Sequence, residues 1–97
     1  MKLVFDTKAL SDIEAIHDWI SRDTPSIARE VVETVFSSIE RLLLFPQMGR
    51  VGAVSGTREW VVPRLPYVVV YEVHDSADEL LVLAIFHGAQ DRDPSAD

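Results

Sequence analysis

Midway through the chain the spacing of apolar residues changes, and that change narrows the folds open to it. As far as Leu44 most apolar residues recur every three or four positions, whereas from Thr57 they alternate or run unbroken. A period near 3.6 belongs to a helix burying one stripe, and a period of two to a strand burying one face. Helices followed by a run of strands make an α+β domain.

Lys2 to Phe5 is a short β-type run ahead of the helical part. Ala9, Ile13, Ile16 and Ile20, with Leu10 alongside, mark the apolar face of a first helix that Asp6 or Thr7 can cap. Ser21-Arg22-Asp23 ends it, and Thr24-Pro25 starts a second helix with a capping hydroxyl and a proline at the first helical position. Ala28, Val31, Val32, Val35, Ile39, Leu42 and Leu43 form the stripe of that helix, and Pro46 stops it. So short a link makes the two helices an antiparallel hairpin. Thr57 to Val62 is a strand, Pro63-Arg64-Leu65-Pro66 breaks it, and Tyr67 to Val73 has the β-branched and aromatic content of a central strand. After the polar turn His74 to Asp78, Glu79 to Phe86 forms the last strand. The expected architecture is β-α-α-β-β-β, with the helical hairpin covering one face of a mainly antiparallel four-stranded sheet. Residues 1–97 make one domain, and about 88–97 are expected to be a flexible polar tail.

Composition removes several classes of function. No apolar run approaches the roughly 20 residues that cross a bilayer, and Met1-Lys2-Leu3-Val4-Phe5-Asp6 reaches an acid too soon for a secretion signal. Without cysteine there is no disulfide framework or thiolate metal site, so a cytoplasmic protein without membrane contact is expected. A formal net charge of −7 argues against direct nucleic-acid binding. The basic residues are nonetheless uneven, with Arg41, Arg50, Arg58 and Arg64 close together.

Walker loops, dinucleotide glycine patterns, zinc spacings and nucleophile elbows are absent, and neither a cofactor nor a metal is expected. His17 belongs to a helix surface and His74 to a solvated turn, while His87 ends an apolar strand beside Gly88, at a sheet margin where sites are built. Tyr67 and Tyr71 share one strand face with Val69, leaving Val68, Val70 and Glu72 on the other. In the preceding strand Arg58, Trp60 and Val62 point one way and Glu59 and Val61 the other. Trp60 beside Arg58 suits a grip on a partner, and equally the rim of a core. Gly49, Gly52 and Gly56 let the intervening loop turn sharply while presenting Arg50. That guanidinium either neutralises helix-terminal carbonyls or meets a partner's carboxylate.

The segments FPQMGR, GTREWVVPRLPYVVVYEV and LLVLAIFHGAQDRDP, in that order after the helix ALSDIEAIHDWIS, resemble the ParE branch of the RelE/ParE toxins of bacterial toxin–antitoxin pairs. The resemblance implies the same β-α-α-β-β-β fold, a cognate ParD-like antitoxin that forms a hetero-oligomer with the chain, and DNA gyrase as target. The RelE branch implies a different act, cleavage of mRNA on the ribosome. Such nucleases resemble one another in basic residues on the second and third strands, an arginine after the last strand and a late tyrosine. Aligned through YVVVYEV, the basic positions fall on Glu59, Val61 and Val68, the arginine position falls near Gly88, and no tyrosine follows Tyr71. A nuclease would have to rely on His87, Arg64 and Tyr71 instead. The leading expectation is a toxin without catalytic residues that binds antitoxin or target through Arg50, Arg58, Trp60, Arg64, His87 and Arg92. The alternatives are a RelE-like ribosome-dependent endonuclease and a non-toxic antitoxin-binding module.

Overall fold

The computed structural model describes residues 1–88. The elements are β1 (Lys2–Phe5), α1 (Thr7–Ser21), α2 (Pro25–Leu44), β2 (Arg50–Val51), β3 (Arg58–Val61), β4 (Tyr67–His74) and β5 (Glu79–His87), with a 3-10 turn at Asp75–Ala77. The strands form one sheet in the order β1-β5-β4-β3-β2. β1 runs parallel to β5, and every other pair is antiparallel.

The expected four-stranded sheet therefore gains a fifth strand. β2 pairs Arg50 with Glu59 and Val51 with Arg58. Two residues are too few to display a period, so only the pairing partner reveals this strand.

Asp6 caps α1, its carboxylate accepting the Lys8 N–H at 2.9 Å. Thr24 occupies the cap position of α2 ahead of Pro25, but its hydroxyl makes no capping bond, contrary to expectation. The N–H of Ile27, one of those such a cap would serve, donates to the Thr24 backbone carbonyl at 3.1 Å instead. Leu10 falls outside the buried stripe of α1 and is 48% exposed.

The core lies between the hairpin and one face of the sheet. Ala9 and Ile13 from α1 and Val35, Ile39 and Leu42 from α2 meet Val62, Tyr67, Val69, Tyr71, Leu80, Val82 and Ile85. Phe5 and Phe36 add an edge-to-face pair at 5.7 Å. In β5 the core-facing side passes from Leu80 and Val82 to Ile85, a change of parity. A bulge causes it: Val82 pairs with Tyr71 and Ala84 with Val70, so Leu83 is an extra residue. Tyr67 to Tyr71 are buried on both faces, as befits a central strand.

The Gly88 N–H donates to the Pro66 carbonyl, which fastens the end of β5 to the turn between β3 and β4. The rest of the expected tail, with Arg92, lies outside the described residues. Among the described residues no helix is long and apolar enough to cross a membrane.

Candidate functional site

The chain between α2 and β3 is held by side chains on the sheet beside it. Pro46 ends the helix and exposes its own carbonyl, which accepts the Tyr71 hydroxyl at 2.7 Å. The same phenol oxygen accepts the Gly49 N–H at 3.0 Å. A β-carbon at Gly49 would lie 2.6 Å from that oxygen and 2.9 Å from the Glu59 carbonyl, so the approach requires glycine. Burial raises the pKa of Tyr71, with the Gly49 N–H and the Arg58 charge opposing the rise. The hydroxyl stays protonated and keeps its hydrogen for Pro46.

Two of the expected binding arginines work inside this loop. Arg58 donates to the Gly49 carbonyl at 2.7 Å, with longer 3.5 Å contacts to Gln47. Arg50, on the other side, pairs with Glu59 at 3.2 Å. Glu59, only 8% exposed, also accepts the Ala53 N–H at 3.2 Å. Trp60 donates its indole N–H to the buried Ser38 hydroxyl at 2.8 Å and so ties β3 to α2. Arg58, Arg50 and Trp60 thus each have an internal partner.

A second group collects where β5 ends. His87 pairs across the sheet with Tyr67, and the two rings meet edge-on at 5.6 Å. Burial raises the Tyr67 pKa as well. Both residues line a groove of about 420 Å³ between α1 and β5, which Lys8, Asp12, Ile16 and Trp19 complete. Asp12 pairs with Lys8 at 2.7 Å and accepts the Ile85 N–H at 2.9 Å, taking up a strand amide beyond the end of β1. Trp19 is 68% exposed, with the Arg22 guanidinium 5.4 Å above its ring.

Arg64 sits in the β3–β4 turn next to this end of the sheet, in a left-handed conformation with φ of 69°. Tyr71 stands four residues along β4 from Tyr67, roughly 13 Å from that end at the usual rise of a strand. Of the three residues a nuclease would use, His87 and Arg64 therefore belong to one end and Tyr71 to the loop end. Among the described residues there is no group of three or more histidines and carboxylates set to hold a metal.

The fold gives prominence to Asp12, which the sequence did not single out, and to Arg41, which it offered only as one of a group of nearby arginines. Asp12 looks like one more helix-surface acid until β5 is placed beneath it. Arg41 shares a face of α2 with Thr34, Ser37 and Ser38, and with them, Pro63 and Arg64 it lines a depression of about 320 Å³. The spacing of 34, 37, 38 and 41 was a readable helical signal, but nothing in it places Arg64 opposite.

A helical hairpin on one face of a mostly antiparallel five-stranded sheet defines a small α+β domain. The family described as the ParE toxin of the type II toxin–antitoxin system parDE matches residues 3–92, and the chain belongs to that family. It is 29% identical over 83 residues to Y4kP of Sinorhizobium fredii, covering 86% of this chain and 83% of that one. To toxin RelE2 of Caulobacter vibrioides it is 29% identical over 89 residues, covering 92% and 97%. Among solved structures it is similar to the chromosomal ParDE toxin–antitoxin system of P. aeruginosa, with 26% identity, a TM-score of 0.79 and coverage of 90% and 95%. The chain is thus a type II toxin of the ParE/RelE superfamily.

Proposed function

We propose that this toxin acts by binding, that it inhibits DNA gyrase in the cytoplasm, and that a ParD-like antitoxin neutralises it in a hetero-oligomer. The observation that carries the reading is the chemistry at the positions where a RelE-like nuclease would need cations. They hold Glu59, which is buried and paired with Arg50, together with Val61 and Val68. A carboxylate beside a scissile phosphate opposes the charge that builds up there. The Tyr71 hydroxyl already donates its one hydrogen to Pro46 and accepts from Gly49, which commits it to the loop. The likeness to the P. aeruginosa ParDE system supports the antitoxin part of the reading.

A ribosome-dependent endonuclease is the second reading, favoured by the placement of His87 and Arg64 at one end of the sheet and by the name of the Caulobacter relative. Purified protein assayed for gyrase supercoiling and for cleavage of ribosome-bound mRNA separates the two. Inhibition of supercoiling with intact mRNA is the expected result. Cleaved mRNA with normal supercoiling would replace the first reading by the second.

A further inference from the structure

Two arginines that line one depression stand apart from those bonded inside the loop. Among the described residues neither Arg41 nor Arg64 has an ion pair or a side-chain hydrogen bond, whereas Arg50 and Arg58 both have partners. Arg41 and Arg64 line the same depression, in the company of Thr34, Ser37 and Ser38 and of no carboxylate. In a chain of net charge −7, two guanidiniums facing one concave surface without an acid are a localised exception.

Arg64 carries a second, independent mark. Its φ of 69° is a conformation that glycine or asparagine occupies readily and a long side chain only under strain. A residue kept in strain, where glycine would relieve it, points to a role for its side chain.

The depression also continues along α2. Arg41 lines an adjoining apolar hollow of about 550 Å³ with Phe45, Pro46, Gln47 and Met48. Thr34 to Phe45 spans roughly 16 Å of helix, a length that about three turns of a partner helix would cover. One end of the track is apolar and the other is cationic.

We infer that this track along α2 is the seat of an acidic, amphipathic segment of the antitoxin, with an apolar side chain in the Phe45–Met48 hollow and a carboxylate held between Arg41 and Arg64. The inference rests on the toxin–antitoxin reading above, and charge complementarity selects the occupant. A guanidinium pair facing hydroxyl groups favours a planar carboxylate that can accept two parallel N–H bonds.

The test uses the full-length chain and, as probe, the full-length protein encoded by the adjoining gene, with affinity measured by calorimetry at several salt concentrations. Arg41→Ala, Arg64→Gly and the double variant should each weaken binding by about tenfold or more and flatten its salt dependence. Arg64→Gly should at the same time melt no lower than wild type, since it relieves the turn. Unchanged affinity and salt slope in all three variants would overturn the inference while leaving the toxin–antitoxin reading intact. A lowered melting point for Arg64→Gly with unchanged affinity would make Arg64 a turn residue and also overturn it. If growth arrest is lost while antitoxin affinity is unaltered, the track belongs to the target. Wild-type protein that binds no such probe would remove both the inference and the reading beneath it.

Discussion

The two ends of the sheet are built on different terms. At the loop end, polar side chains serve the chain's own backbone: Tyr71 holds Pro46 and Gly49, Arg58 holds Gly49, and Glu59 gathers Arg50 and Ala53. At the end where β5 finishes, an open groove runs beside α1, and Asp12 is the side chain that closes a backbone amide there. A residue's type therefore says little about its availability to a partner. Arg50 and Arg58 each have an internal partner, while Arg64 in a tight turn is exposed.

This contrast can be broken most severely at Tyr71. Tyr71→Phe keeps the ring and removes a hydroxyl that satisfies one part-buried carbonyl and one buried N–H, so a loss of about 2–4 kcal/mol is expected in urea unfolding. A loss below about 1 kcal/mol would mean that water serves those groups equally well. Asp12→Ala comes next. It strands the Ile85 N–H and removes the Lys8 pair, for an expected cost of about 1–3 kcal/mol, with faster hydrogen exchange at Ile85 and little change in the loop. Trp60→Phe should cost about 1 kcal/mol, because the Ser38 hydroxyl loses its indole donor while most of the packing survives. Arg50→Ala is the mildest, at about 1 kcal/mol or less, because its side chain is 68% exposed and Glu59 retains the Ala53 N–H.

Alkaline titration sharpens the same comparison. Tyr67 and Tyr71 both have pKa values raised above 10.0 by burial. Below pH 10 the phenols are neutral in folded and unfolded chains alike, and their contribution to stability is complete. As the pH climbs past the ordinary phenol value the unfolded chain ionises first, so stability falls until the raised folded-state values are passed. Tyr71→Phe should make that alkaline decline shallower. An equal decline in the variant would assign it to Tyr67 at the other end.

Much of the architecture was legible before any coordinates. The stripe from Ala28 to Leu43 announced α2, the run from Tyr67 to Val73 announced the central strand, and both lie where the spacing put them. The parity change at Leu83 was not readable, because a bulge is set by pairing with β4 and leaves no local mark in an all-apolar strand. The strand at Arg50–Val51 was missed for a related reason: two residues have no period. At the candidate site, Trp60 was legible as a neighbour of Arg58 on one strand, and Arg50 as a residue presented by the glycine-punctuated loop. Their hydrogen-bond partners, Glu59, the Gly49 carbonyl and Ser38, lie between 9 and 22 residues away and could not be inferred from spacing.

Periodicity and turn chemistry by themselves determined the elements, their order and the face each would bury, because those properties depend on residues a few positions apart. Tertiary structure alone decided which cations remain available, because a guanidinium's partner is set by whatever the fold carries within about 3 Å of it. Arg58 met a carbonyl there, Arg50 met a carboxylate, and Arg41 and Arg64 met each other's side of a depression without an acid.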